Sequence, residues 1–212
     1  MTKLKSSLKN MLISLGSICI ISACLLGIVN EGTKNTIAES QRKKLENAIR
    51  QVVPEFDNSP LSEMYEVTFS DKDIALIYPA KQDETLVGIA VETTSFNGFS
   101  GSVRILTGMD PKGDVLDYSV LQHSETPGLG DKMAFWFKAD KNNQLILGRN
   151  LSNQLNLKKD GGDVDGITAA TISSRAFLEA VNKAYAAYMN NTDGSTGATP
   201  DDGETGATKQ TE

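Results

Sequence analysis

Residues 86–106 read LVGIAVETTSFNGFSGSVRIL. Two short runs rich in β-branched residues, Leu86–Val91 and Val103–Leu106, stand on either side of the turn sequence Phe96-Asn97-Gly98. Apolar runs of this length, bounded by glycine and asparagine, are typical of strands joined by a turn. We therefore predict two neighbouring strands in this part of the chain.

The same pattern continues on both sides of this pair. Ile74–Tyr78 precedes it, and Val115–Leu121 follows it after the turn sequence Asp110-Pro111-Lys112-Gly113. The regular spacing predicts an antiparallel meander, with a further strand near Leu155–Lys158.

Helical periodicity flanks the strands. From Thr36 to about Val53 apolar residues recur at helical spacing until Pro54, a pattern more typical of a helix that packs on its own domain than of a partner site. A last helix is predicted from about Ile172 to Met189, with an apolar stripe formed by Ala176, Phe177, Ala180, Val181, Ala184 and Tyr188. The predicted fold class is α+β: a transmembrane helix followed by one domain with an antiparallel sheet and flanking helices.

A membrane anchor is predicted near the N-terminus. Met11–Val29 is a run of nineteen residues without a charge, roughly 28 Å long as a helix and so comparable to a bilayer's hydrocarbon core. Lysines precede this run, and the positive-inside rule therefore keeps the N-terminus in the cytoplasm. We predict a retained single-pass helix in the inner membrane with the domain on the periplasmic side. A cleaved signal peptide, or a lipoprotein signal at Cys24, is the alternative, although the apolar run continues past that cysteine.

The predicted organisation has four parts. Residues 1–10 form a cytoplasmic N-terminus, residues 11–29 the transmembrane helix and residues 30–190 the extracytoplasmic domain. Residues 191–212 form an acidic tail without an apolar run, which we expect to be disordered.

Composition excludes several kinds of chemistry. The net charge of −6 gives no indication of nucleic acid as a partner. Cys19 and Cys24 lie five positions apart in the apolar run, where helical geometry should keep them unpaired. The rest of the chain has no cysteine and one histidine, which excludes an iron–sulfur cluster on its own thiolates and argues against a zinc site. Any redox chemistry would need an organic cofactor, and we predict no metal ligands and no catalytic residues.

The segment Asp165-Gly166-Ile167-Thr168-Ala169-Ala170-Thr171 precedes the last helix. A helix N-terminus has unpaired N–H groups and a partial positive charge, which suit a phosphate group. Small side chains let a bulky group approach, and a hydroxyl can bind the phosphate or carry it. The alternative, favoured by physical reasoning alone, is helix capping by Thr168 or Ser173.

A second segment, residues 123–132, follows the last predicted strand. It contains Thr126-Pro127-Gly128-Leu129-Gly130, a rigid loop whose glycines would let the backbone lie against a flat ring. His123 lies two residues from Glu125, and the two could form a buried polar pair, an acid–base pair or a surface contact.

The two segments together resemble the FMN-binding domain of the G subunit of the Rnf-type ion-translocating electron-transport complex. The C subunit of the sodium-translocating NADH:quinone reductase is a close relative of that family. The loop matches the family pattern His-x-Glu-Thr-Pro-Gly-Leu-Gly throughout. The first segment matches the flavin-attachment pattern Asp-Gly-x-Ser/Thr-Gly-Ala-Ser/Thr except at Ala169, where the family usually has glycine.

The resemblance implies that FMN is linked covalently through its phosphate to the hydroxyl of Thr171. It places seven further residues around the cofactor: Thr168, Ala169 and Ala170 near the phosphate, and Glu125, Thr126, Gly128 and Leu129 near the isoalloxazine ring. A separate magnesium-dependent flavin transferase would make the bond from FAD. The chain would then be one electron relay in a membrane-bound ferredoxin:NAD oxidoreductase that transports Na⁺ or H⁺, with the other subunits as partners and no substrate site of its own.

Two other functions stay open at this stage. The chain could be a flavinylated electron carrier of another extracytoplasmic redox system, or an anchored assembly module without flavin. The tail adds a further question, since residues 193–199 and 202–208 both fit the attachment pattern. These two segments are either the result of low-complexity sequence drift in a polar tail or additional FMN acceptors at Thr199 and Thr208.

Overall fold

The computed structural model describes residues 8–69 and 73–192. Residues 191 and 192 of the predicted tail belong to the last helix, and the remainder of that tail, residues 193–212, lies outside the described residues. The helices are α1 (Leu8–Val52), α2 (Met133–Trp136) and α3 (Thr171–Thr192). The strands are β1 (Tyr65–Thr68), β2 (Ile74–Gln82), β3 (Thr85–Ser95), β4 (Val103–Met109) and β5 (Val115–Gln122). Internal contacts divide the chain into two compact units, of which the first ends at Asn47 and the second begins at Ala48.

The first unit consists, in its described part, of most of α1. The apolar side chains between Met11 and Val29 are exposed, and this helix is long and apolar enough to cross a membrane by length and composition. Cys19 and Cys24 are unpaired, as predicted. The predicted transmembrane and amphipathic segments form one continuous helix. The residues between them, 30–35, include no proline and one glycine, and a single glycine costs just about 1 kcal/mol.

The second unit contains the sheet. Its strands pair in the order β1-β2-β3-β4-β5, all antiparallel, which confirms the predicted meander. Around the turn that follows β3, Ser95 pairs with Val103. The short strand β1 was not predicted, because its four residues contribute just one buried side chain, Val67.

The strand predicted near Leu155–Lys158 is wrong. Leu157 makes a single isolated bridge to Val164, and Lys158–Asp160 form a 3₁₀ turn that ends at Gly161, where φ is +84°. The apolar residues of this region serve as core side chains, since Leu155 and Leu157 are both buried. These residues are apolar because they are buried in the core, although no strand pairs with them. This burial explains why the apolar pattern was taken for a strand.

The helix α3 packs on β3 and β4 and completes the core. All six residues of the predicted apolar stripe are buried, which confirms the helix and its orientation. The ring of Phe177 stacks on that of Phe137 with centroids 4.4 Å apart, and it meets Tyr118 edge-on at 4.8 Å. Thr93 in β3 donates a hydrogen bond to the carbonyl of Ala180, 2.7 Å away. These contacts fix the position of the N-terminal end of α3 relative to the sheet.

Candidate functional site

The loop that follows β5 contains a tight turn. The N–H of Leu129 donates to the carbonyl of Thr126 over 3.1 Å, and φ of Gly128 between them is +77°. Proline at the second position and glycine at the third, with this positive φ, are the signature of a type II turn. The structure has a tight turn where the sequence predicted a rigid loop, and the absence of a Cβ at Gly128 serves the turn.

Glu125 is a buried carboxylate beside this turn, with 5% of its surface exposed. Its Oε2 accepts a hydrogen bond of 2.6 Å from the hydroxyl of Ser173 in α3, and its Oε1 accepts one of 3.2 Å from the backbone N–H of Ser100. A Cβ on Gly130 would lie 2.6 Å from Ser173 Oγ and 2.7 Å from Glu125 Oε2. Three chain segments therefore meet at Glu125 with no space for a larger residue at position 130.

His123 contacts the backbone rather than a carboxylate. Its Nδ1 accepts a hydrogen bond of 3.2 Å from the N–H of Glu125. The sequence left three interpretations open: a buried polar pair with Glu125, an acid–base pair or a surface contact. Because this hydrogen bond joins the histidine side chain to the backbone, it is neither a polar pair of side chains nor an acid–base pair. The histidine helps to hold the loop at the end of β5.

The segment 165–171 is held at both of its ends. The indole N–H of Trp136 donates to the carbonyl of Asp165 over 2.9 Å. The hydroxyl of Ser174 accepts from the N–H of Ile167 at 2.8 Å and donates to the carbonyl of Ala170 at 2.9 Å. These bonds make the segment a fixed turn that leads directly into α3.

Ala169 has the left-handed backbone conformation, with φ at +63°. Glycine adopts this conformation without a steric penalty, whereas a Cβ is crowded by the following carbonyl. The structure thus gives a physical reason for the glycine that the flavin-attachment pattern has at this position.

The first turn of α3 begins with Thr171. The expected cap from Ser173 is wrong, because its hydroxyl donates to Glu125. Thr168 is exposed on the surface two residues before the helix. Thr171 is half-buried, and the ammonium group of Lys159 donates to its Oγ1 over 3.3 Å. A hydroxyl, a cation and the first N–H groups of a helix are therefore adjacent, which is an arrangement suited to a phosphate.

Thr171 lies between two clefts. The first, called the ring cleft here, has a volume of about 330 Å³ and is lined by Phe99, Glu125, Thr126, Leu129, Gly130, Ala169, Ala170, Thr171, Ile172 and Ser173. The second, called the lysine cleft, has a volume of about 240 Å³ and is lined by Leu157, Lys158, Lys159, Val164, Asp165, Gly166, Ile167, Thr168, Ala169 and Thr171. Ala169 and Thr171 are the residues that line both.

The ion pairs of the lysine cleft leave Lys159 directed at Thr171. Lys158 pairs with Asp165 at 2.8 Å. The hydrogen bonds that Asp165 accepts from Lys158 and from the N–H of Asn143 lower the pKa of Asp165. Asp165 is consequently a carboxylate at neutral pH, and its charge is balanced by Lys158.

The turn between β3 and β4 is tied to α3 through Glu179. Ser95 and Asn97 donate to Glu179 Oε2 at 2.9 and 2.8 Å, and Lys183 pairs with its other oxygen at 2.9 Å. Burial raises the pKa of Glu179, but the hydrogen bonds from Asn97, Lys183 and Ser95 outweigh this effect, so the pKa lies below its ordinary value. The turn that leads to Phe99 at the ring cleft is thereby held against the helix.

A larger cleft of about 560 Å³ lies elsewhere along α3. Several of its polar side chains already have partners: Arg175 donates twice to Asp160, at 2.8 and 2.6 Å, and Asn182 bonds the backbone of Leu155. Arg175 holds the pKa of Asp160 below its ordinary value. None of the sequence-predicted site residues lines this cleft.

The structure brings seven of the eight predicted residues together at the two clefts. Gly128 is the exception, because it forms the turn and lines neither of them. Sequence reasoning missed Phe99, Ile172, Ser173 and Lys159. Phe99 follows the predicted turn 96–98, but neither its exposure nor the approach of Lys159 to Thr171 leaves a signal in the sequence.

The second unit has an antiparallel sheet backed by a helix, and the first turn of this helix opens between two clefts. The chain also has a helix able to cross a membrane. Together these features define a membrane-anchored cofactor-binding protein. Residues 98–186 match the FMN-binding domain family, and residues 1–52 match the RnfG N-terminal region. All residues that line the two clefts lie within the match to the FMN-binding domain family. This match identifies the cofactor as FMN.

Similar proteins extend along most of the chain. The G subunit of an ion-translocating oxidoreductase complex from Shewanella amazonensis is 36% identical over 189 residues, covering 84% of this chain and 86% of that protein. The corresponding G subunit from Haemophilus influenzae is 39% identical over 181 residues, covering 81% and 84%. The chain belongs to the family of G subunits of ion-translocating oxidoreductase complexes.

Proposed function

We propose that this chain carries FMN covalently on Thr171 and relays electrons as one component of an ion-translocating oxidoreductase complex. The observation that carries the proposal is the position of Thr171: its hydroxyl lies at the start of α3, beside Lys159, and at the junction of the ring cleft and the lysine cleft.

The attachment is a phosphoryl transfer. Oγ1 of Thr171 attacks the phosphorus atom on the riboflavin side of the pyrophosphate of FAD, the bond to the bridging oxygen breaks, and AMP leaves. The hydroxyl proton is released to the solvent, and no oxidation state changes. In this proposal a flavin transferase is the partner that catalyses the step.

Phosphate binding is supported by charge. A phosphodiester on Thr171 would have one negative charge, next to the positive end of a helix 22 residues long. Lys159 adds a full positive charge 3.3 Å from the attachment oxygen. Thr168, Ala169 and Ala170 lie immediately before this oxygen in the chain and leave space around it.

The ring cleft fits a flat and largely apolar group. Its volume of about 330 Å³ lies within the range of small-molecule sites, about 300–1,000 Å³. Phe99, Leu129 and Ile172 line it and are 66%, 39% and 46% exposed. A ring placed there would cover these apolar side chains, while Glu125 and Thr126 would supply the polar contacts.

FMN supplies the chemistry of accepting and donating one or two electrons. The chain's residues position the group, and a covalent link prevents its loss by dissociation. The walls formed by Phe99 and Ile172 lie at the surface, so a redox partner can approach the ring edge. An accessible ring edge suits a relay, which passes its electrons to another protein.

We further propose that α1 anchors the chain with its N-terminus in the cytoplasm and its FMN domain on the periplasmic side. The exposed apolar surface between Met11 and Val29 supports the anchor, and the lysines before it support the orientation. The other subunits of the complex are the proposed electron donor and acceptor, because the similar proteins are subunits of such complexes.

A pair of matched variants tests the attachment site. The full chain, its Thr171→Ala variant and its Thr168→Ala variant are each co-expressed with an active flavin transferase. After tryptic digestion, fluorescence of the peptide that spans residues 160–175 reports covalent flavin. We expect loss of this signal in Thr171→Ala and its retention in Thr168→Ala. The reverse pattern, or a fully loaded Thr171→Ala peptide, would contradict the proposal.

A further inference from the structure

We propose that the carboxylate of Glu125 sets the reduction potential of the flavin, as a fixed negative charge in the cleft that holds the ring. This inference rests on the proposed function and deepens it, because a relay works only at a potential that lies between those of its donor and its acceptor. The family resemblance places Glu125 near the ring without giving it a role.

Glu125 is the charged residue of the ring cleft. All other residues that line this cleft are apolar or carry an uncharged polar side chain. A protein tunes the electronics of a bound flavin through hydrogen bonds to the ring nitrogens and through charges near the ring. Among the lining residues, Glu125 is therefore the one that can act on the ring through a full charge.

The charge of Glu125 has no cation beside it. None of the ion pairs among the described residues includes this carboxylate. Burying a charge is costly unless a partner compensates it. The fold alone gives no reason for an acidic residue at a position that is 5% exposed, whereas an effect on the ring does.

A second buried glutamate shows the usual arrangement. Glu92 in β3 is 8% exposed. Its Oε1 pairs with Arg104 at 3.2 Å, and its Oε2 accepts a hydrogen bond of 3.2 Å from the hydroxyl of Tyr78. The adjacent Thr93 bonds Ala180 in α3, so Glu92 points to the opposite face of the sheet. Glu92 is thus a buried carboxylate with a cation, and it does not line the ring cleft.

The position of the Glu125 carboxylate is fixed from several sides. Ser173 donates to Oε2 and the N–H of Ser100 donates to Oε1. Both groups are donors, which suits an ionised, acceptor-only carboxylate. A Cβ on Gly98 would lie 2.7 Å from Oε1, and one on Gly130 would lie 2.7 Å from Oε2. Glycine at both positions leaves room for the carboxylate, and the charge cannot move away from the cleft.

The effect on the flavin follows from charge repulsion. Reduction brings two electrons into the ring from an electron-donating protein, and the accompanying protons come from the solvent. Glu125 is neither oxidised nor reduced, but its negative charge opposes the added electrons and lowers the potential. Lys159 does not cancel this effect, because its charge faces the phosphodiester on Thr171.

The size of the effect is measurable. Two unit charges about 4 Å apart change an equilibrium by more than tenfold at an effective dielectric constant of about 20. For a two-electron couple, a tenfold change corresponds to about 30 mV. Replacing Glu125 by glutamine removes the charge and keeps the shape, so it should raise the potential by at least this amount.

The test is a spectroscopic redox titration with dithionite and reference dyes, made on the full chain in detergent after co-expression with an active flavin transferase. Absorbance of the denatured protein first measures covalent flavin. We expect a higher midpoint potential in Glu125→Gln, a potential below that of Glu125→Gln in Glu125→Asp, and an unchanged one in Glu92→Gln. The wild type should have a lower potential than FMN in solution, a comparison that needs no variant.

The outcomes separate this inference from the proposed function. Equal potentials in loaded wild type and loaded Glu125→Gln overturn the inference and leave the proposed function intact. A similar rise in Glu92→Gln also overturns it, because the effect would then not depend on the ring cleft. If Glu125→Gln does not fold or load, a wild-type potential at or above that of FMN in solution overturns the inference, and a lower one supports it. Wild-type protein without covalent flavin overturns both.

Discussion

Replacing Ala169 by glycine should stabilise the protein. Ala169 has φ at +63°, and its side chain is exposed on the surface. The substitution therefore removes a strained Cβ without removing a packed methyl group from the core. Most alanine-to-glycine substitutions have the opposite effect, which makes the sign of the change informative.

The magnitude follows from two opposing terms. A left-handed conformation costs a residue with a Cβ about 1–2 kcal/mol relative to glycine. Glycine loses about 0.5–1 kcal/mol more conformational entropy on folding than alanine does. The free energy of unfolding should consequently rise by about 0.5–1 kcal/mol, and Tm by about 1–4 °C for a domain of this size.

Thermal unfolding of the full chain in detergent, followed by the fluorescence of Trp136, measures this change. Trp136 is the sole tryptophan, and its indole bonds the carbonyl of Asp165 at the start of the same segment. Ala186→Gly is the matched control, because Ala186 is exposed in the middle of α3 and should lose about 0.5–1 kcal/mol on substitution. If Ala169→Gly lowers Tm as the control does, the explanation of the glycine in the attachment pattern is wrong.

Substitutions at three further positions test the structure around this segment. Ser173→Ala removes the 2.6 Å hydrogen bond to the buried Glu125 and should lower the free energy of unfolding by about 1–3 kcal/mol, and an unchanged urea midpoint would contradict this. Lys159→Gln should slow flavin loading of Thr171 by up to about fivefold, since an exposed contact contributes about 0.2–1 kcal/mol, whereas Lys159→Arg should load normally; equal rates for both variants would exclude a role for the charge. Because the pKa of Glu179 is lowered from 4.5, its contribution to stability is present above that pH and is lost as the pH falls through the folded pKa. Glu179→Gln should therefore flatten the acid side of the profile of unfolding free energy against pH, and a profile as steep as that of the wild type would argue against it.

Much of the fold could be predicted from local patterns. The four longer strands and α3 have enough periodic residues to be recognised, and Asn97-Gly98 and Asp110-Pro111 mark the turns between strands. The short strand β1 and the apolar residues near Leu157 could not be assigned correctly, because burial depends on what packs against them. The continuity of α1 was missed, because the polar and charged residues 30–35 end the apolar run without ending the helix.

The site could be predicted only as far as its two sequence segments reach. Their resemblance to the motifs of the FMN-binding family placed Glu125 and Thr171 in one site, and both segments do line the ring cleft. The bond between Ser173 and Glu125 and the approach of Lys159 to Thr171 join residues 48 and 12 positions apart. Contacts of this kind depend on how the helix packs on the sheet, and the sequence has no periodic signal for them.

The central claim is that FMN is attached to Thr171, and fragment mass spectra of the peptide 160–175 from the purified wild-type protein test it most directly. We expect the mass of a phosphate-linked FMN on the fragments that contain Thr171 and its absence from those that end at Ala170. An unmodified peptide from protein made with an active transferase, or a modification assigned to Thr168, would contradict it.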